Sequence, residues 1–138
     1  MLNRITLQEL ANIRFDEAKF LLDSGRYDGA YYLSGYIIEL ALKTCIAKRI
    51  KEHDFPDKDI VKNSYTHQLS TLFNTALLWD LFEQDLRKNK QLELNWSIVK
   101  DWKEDSRYEK HSKQKAEDMF FAVSDANTGV FEWVKQYW

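Results

Sequence analysis

The chain has 138 residues, 44% hydrophobic and 30% charged, with a formal net charge of −2, a size that can bury one core without disulfides or metals and is expected to form one domain over residues 1–138. That balance excludes a disordered chain, and no apolar run approaches the roughly 18 residues that a membrane span needs. The slight negative charge excludes a surface built throughout to hold nucleic acid by counterion release, so any RNA contact is expected to be local.

Met1 to Thr6 carries no apolar stretch ahead of a small-residue cleavage site, so no secretory signal is expected. The single cysteine, Cys45, has no internal partner for a disulfide, which fits a reducing compartment and a cytoplasmic location.

Only four glycines and one proline interrupt the sequence, which favours long helices. Thr6 followed by Glu9 reads as a capping box, and Leu7, Leu10, Ala11, Ala18, Leu21 and Leu22 recur at helical spacing until Ser24-Gly25, predicting a first helix over about residues 6–24. A second helix is expected from Asp28 to His53. Its apolar residues, from Ala30 through Ile37, Ile38, Leu40 and Leu42 to Ile46, cover more than one stripe, as a central helix requires.

Phe55-Pro56-Asp57 breaks the pattern, and a polar loop leads to Thr66-His67, where Leu69, Leu72 and Phe73 predict a short third helix. Leu77, Leu78, Leu81, Phe82 and Leu86 continue amphipathically, and Leu92, Trp96, Val99 and Trp102 suggest another helix after the polar link from Arg87 to Gln91. Ser106 with Glu109 reads as a second capping box opening a terminal helix whose core stripe is Met119, Val123, Ala126, Val130 and Val134, with Gly129 placed to bend it. No segment alternates over strand length and no repeat or low-complexity tract appears, so the expected fold is all-α: an antiparallel, up-and-down helical bundle of about four to six helices.

Several segments resemble those of the HEPN family. The joint Ser24-Gly25-Arg26-Tyr27-Asp28, followed by Ala30-Tyr31-Tyr32 and Ile38-Glu39-Leu40-Ala41-Leu42-Lys43, looks like the first helical hairpin of HEPN domains. His67-Gln68-Leu69 with Leu72 is similar to that family's His-x-Leu-x-x-Leu stretch, and Ser106-Arg107-Tyr108 resembles its Arg-Tyr element. The likeness runs from Glu17 to about Val134. It implies a bundle that forms a homodimer and acts either as a metal-independent ribonuclease or as the non-catalytic partner of a small nucleotidyltransferase in a toxin–antitoxin setting.

In the ribonuclease members the resemblance points to an Arg and a His with about four to six residues between them. Arg107 and His111 have three between them, a departure that leaves the catalytic and non-catalytic readings both open. If Ser106 starts a helix, positions four apart share one face, and a helix N-terminus favours a phosphate. His111 would then serve as general acid or base toward a ribose hydroxyl or leaving oxygen, and Arg107 would stabilise the phosphate charge, with Ser106, Tyr108, Lys110 and Lys113 as RNA- or phosphate-binding residues. The commoner role for such residues is a solvated charged face paired with Glu104 or Asp105.

Glu39 and Lys43, four apart in the most apolar helix, predict a buried or half-buried ion pair of structural value. Tyr31, Tyr32 and Lys43 could together hold a nucleotide, though packing explains crowded tyrosines as well. Gly29 and Gly35 suit close packing against another helix or subunit. His67, just before a helix, is expected to bond the backbone near the helix start. His53, His67 and His111 are scattered and there is no phosphate-cradling glycine loop, so neither a metal nor a cofactor is expected. The leading expectation is a homodimeric binding or regulatory module with a nucleotidyltransferase-like partner. An endoribonuclease and a nucleotide-binding domain are the alternatives.

Overall fold

A computed structural model describes residues 2–50 and 55–138, and every described residue outside turns and links is helical. The first helix, α1 (Arg4–Asp23), begins earlier than expected because Asn3, not Thr6, is the cap: its side chain accepts from the Thr6 N–H at 2.9 Å. Its end follows the glycine signal. Arg26 N–H reaches Leu21 O at 2.8 Å and Gly25 N–H reaches Leu22 O at 3.2 Å, with Gly25 at φ 78°, the paired bonds of a Schellman ending. Leu7, Ala11 and Ala18 are buried, while Ile5, Ile13 and Phe20, about two turns apart in succession, stay exposed on another face.

The second helix, α2 (Tyr27–Arg49), is central, packing against α1 and against α4, α7, α8 and the 3-10 turn defined below. The expected continuation to His53 falls on residues 51–54, outside the described residues. Burial of nearly every face would strand polar groups, but Ser34 and Thr44 donate back to Ala30 O and Leu40 O at 2.7 and 2.8 Å, satisfying themselves within the helix.

The expected polar loop contains a helix, α3 (Lys58–Ser64), capped by Asp57 and with no fully buried residue. After it come α4 (Leu69–Thr75), α5 (Trp79–Lys88) and α6 (Lys90–Val99). Asn89 ends α5 and caps α6, so the expected link of several residues shrinks to one. Between α4 and α5, Leu78 N–H bonds Phe73 O and Leu77 N–H bonds Asn74 O, both at 3.0 Å, with Leu77 at φ 58°. This is the same ending as that of α1, without a glycine.

The expected terminal helix is three pieces: a 3-10 turn (Glu104–Tyr108), α7 (Lys113–Ser124) and α8 (Val130–Lys135). The Ser106–Glu109 box does not form, and Ser112 caps α7 by accepting from Lys115 N–H at 3.1 Å. Gly129 does not bend a helix but starts α8. The Asp125 carboxylate accepts from the Thr128 N–H at 2.8 Å and hydroxyl at 2.7 Å, and these bonds hold its pKa below the ordinary value. Ala126, expected in the core stripe, is therefore in this turn and exposed, while Met119, Val123, Val130 and Val134 are buried.

The fold is thus an all-helical bundle, with eight α-helices among the described residues rather than four to six. The excess comes from capped breaks inside segments whose apolar period runs on. Buried side chains form one cluster. In it Phe73 stacks on Phe82 at 4.6 Å, Trp96 meets both edge-on at 5.2 Å, and Trp133 lies 4.7 Å from Phe82 with its Nε1–H on Asp85 at 2.8 Å.

Candidate functional site

Trp102, immediately after α6, leads into the 3-10 turn and anchors it. The indole is buried on Gly35 of α2, donates from Nε1 to Tyr32 O at 3.1 Å, and stacks 5.9 Å from the Tyr32 ring. At Gly29 a Cβ would come within 3.1 Å of Leu21 in α1, so that glycine serves helix packing. At Gly35 the close neighbour is an indole, not another helix.

The turn places Arg107 and His111 against different partners. Neither lies on an α-helix, which overturns the expected shared helical face. The Arg107 guanidinium is 3.6 Å from Glu104 and 4.7 Å from the centre of the Tyr108 ring. The His111 ring is only 8% exposed, lies nearly flat on Tyr31 at 3.9 Å, and donates from Nε2 to Ser106 O at 3.2 Å. Its backbone N–H goes to the Asp28 carboxylate, and its Nδ1 has no partner among the described residues.

The other candidates are also dispersed. Ser106 is buried and its hydroxyl accepts from Lys103 N–H at 3.3 Å. Tyr108 is exposed, Lys110 borders a cleft of about 380 Å³ with His111 and Asp28, and Lys113 sits 3.8 Å from Glu117. Lys103, Lys110, Lys113 and Lys115 alternate with Asp101, Glu104, Asp105, Glu109, Glu117 and Asp118, so the charge is mixed. A second cleft, of about 390 Å³, lies over Tyr31 between Asp101, Lys103, Lys115 and Asp118. Tyr31 is buried beneath His111, Tyr32 stacks on Tyr36 at 5.9 Å, and Lys43 turns to Glu39, so each of the three expected nucleotide contacts is engaged by its own chain.

A connected charged group runs through the middle of α2. Glu39 is 1% exposed. One of its oxygens is 3.3 Å from Lys43 Nζ, the expected pair, and the other is 2.9 Å from Nδ1 of His67. Nε2 of His67 is 3.3 Å from Glu104, which also holds Arg107. In place of the expected backbone bond, the His67 ring spans two carboxylates, from α2 and the turn. Glu39 signalled a need for a cation, but His67 and Glu104 lie 28 and 65 residues away in sequence, where periodicity has no reach.

Burial raises the pKa of the Tyr32 and Tyr36 hydroxyls, with Glu39 adding to it and Arg107 working against it at Tyr32. Both hydroxyls therefore remain hydrogen-bond donors at neutral pH. Burial also pushes the Cys45 thiol up to about 12. Because the thiolate is the reacting species, iodoacetamide at neutral pH is expected to leave Cys45 unmodified in folded protein and to alkylate it after denaturation, as read by mass spectrometry.

Among the described residues no group of three or more His, Cys, Asp or Glu side chains is placed to hold a metal, and no helix is long and apolar enough to cross a membrane. The molecule is a small helical-bundle protein with a charged side-chain cluster against its central helix. The HEPN domain family model matches residues 6–137, nearly the whole chain, and the chain belongs to that family. HEPN modules are often ribonuclease toxins or associates of nucleotidyltransferases, and they commonly dimerise. Comparison with curated proteins and with solved structures finds no match.

Proposed function

We propose that this chain is a single HEPN binding or regulatory domain: a cytoplasmic homodimer that associates with a nucleotidyltransferase-like protein of a toxin–antitoxin system, and not a ribonuclease acting through Arg107 and His111. The observation that carries this reading is the engagement of His111 by its own chain. A general acid or base must reach the proton it moves, whereas this ring is stacked on Tyr31 and bonded to Ser106 O, and Arg107 answers to Glu104.

The exposed Ile5, Ile13 and Phe20 on α1, with Phe20 71% exposed, support association through an apolar face, since scattered apolar residues are ordinary on a surface but an aligned set suits protein contact. The test has two arms. Purified chain is expected to leave single-stranded RNA intact, and to co-purify as a stable complex when expressed with the product of a nucleotidyltransferase-like gene. RNA cleavage that is lost in His111→Ala and Arg107→Ala would replace this reading with the ribonuclease, and a monomer that captures no such product would remove the partner role.

A further inference from the structure

We propose that the outward face of α1 is a docking surface for a basic amphipathic helix of a different protein. The inference rests on the reading of the chain as a binding module and names the surface through which it binds. With successive residues about 100° apart around a helix, Ile5, Glu9, Ile13, Asp16, Phe20 and Asp23 fall within about 80° of one another, and all of them are exposed. Leu7, Ala11 and Ala18 occupy the opposite side and are buried in the bundle. The outward side of a surface helix is ordinarily polar, yet here Ile5, Ile13 and Phe20 are 66%, 47% and 71% exposed. Beside Phe20 the surface dips into a hollow of about 430 Å³ against Leu21, edged by Asp16 and Glu17, where an apolar side chain of a partner can seat.

The charges say what covers this face. Glu9, Asp16 and Asp23 stand between the apolar side chains, and none of the three is ion-paired among the described residues. The cations of α1 are placed elsewhere: Arg14 bonds Glu17 at 2.7 Å, Arg4 donates to Trp138 O at 2.7 Å, and Lys19 sits at the edge of the face. Apolar side chains separated by unpaired carboxylates match a helix whose own apolar stripe is flanked by Lys or Arg.

A second copy of this chain does not match. Antiparallel pairing of the face with itself that sets Ile5 across from Phe20 also sets Glu9 across from Asp16, and parallel pairing sets each carboxylate across from itself. Like charges brought together in either way oppose association. The same carboxylates repel an anionic lipid surface. The homodimer proposed above therefore uses another face, and α1 remains open to a basic partner.

The experiment follows the anisotropy of two fluorescein-labelled helical peptides, sharing one leucine stripe but flanked by lysines or by glutamates, titrated with the full chain. The lysine peptide is expected to bind about tenfold more tightly than the glutamate peptide, and Phe20→Ser to weaken it about tenfold, the loss of one anchor. Glu9→Lys/Asp16→Lys should invert the preference between the peptides. The substituted side chains are exposed, so the variants are expected to fold, and sedimentation equilibrium should give Phe20→Ser the oligomeric state of the parent. Equal binding of the two peptides, unchanged binding in Phe20→Ser or a preference that does not invert would overturn the proposal. Dissociation of a parental dimer by Phe20→Ser would overturn it by giving the face to a second copy. In co-expression, a nucleotidyltransferase-like complex that survives these substitutions keeps the partner role and removes this surface. A parent that captures no such product removes that partner, and the peptide titrations then decide the surface by themselves.

Discussion

Gly35→Ala is expected to destabilise the chain by about 2–3 kcal/mol, near the upper end for forcing one carbon into a packed site. A Cβ at residue 35 would lie 2.2 Å from Cγ and Cδ1 of Trp102 and 2.4 Å from Nε1. The neighbour is a rigid ring with no flexible end to turn aside, so the indole must shift bodily. That shift strains the Nε1–H bond to Tyr32 O and the stacking on Tyr32. It also displaces the turn that carries Glu104 and Arg107. Urea denaturation measures the loss, and a midpoint corresponding to less than about 0.5 kcal/mol would place Gly35 among ordinary surface-like substitutions. In a Trp102→Ala background the same glycine change should cost much less, because residues in contact couple in a double-mutant cycle.

Lys43→Met is expected to cost about 3 kcal/mol, because breaking a buried pair leaves the surviving charge uncompensated. Glu39 is fully enclosed, and without the ammonium its remaining close partner among the described residues is the His67 ring. Methionine keeps most of the lysine's packing volume, so the effect isolates the charge. The double variant Glu39→Gln/Lys43→Met should recover most of the loss, since it removes the stranded charge along with its partner. Denaturant melts of the four proteins give the coupling directly. Additive losses would mean that Lys43 is solvated and contributes nothing specific to Glu39.

The pair was legible because helix geometry brings residues four apart together; its extension to His67 and Glu104 was not, because tertiary folding alone joins them. Helix ends show the same division. Gly25 announced the end of α1, whereas α4 ends with the same two hydrogen bonds around Leu77, whose left-handed backbone no glycine advertises. Leu77 consequently read as the next stretch of an amphipathic run. Asn3 took the capping bond first and left Thr6 inside the helix. In the terminal segment the core residues kept helical spacing across two breaks, so periodicity merged three elements into one. The shared face of Arg107 and His111 depended on that merger. α3 escaped notice for the opposite reason, having no buried residue to set a period.

The distribution of indoles gives the bundle separate optical reporters, Trp138 lying against Phe131 away from the rest. Trp79, Trp96 and Trp133 crowd around Phe73 and Phe82, whereas Trp102 stands apart on Gly35 beside the charged turn. Emission from a variant retaining Trp102 alone would follow docking of the turn, and emission from the aromatic cluster would follow the α4–α6 and α8 side. Coincident transitions would identify one cooperative unit. An earlier change at Trp102 would identify the turn as a separately opening segment, held to the bundle less firmly than the helices are held to one another.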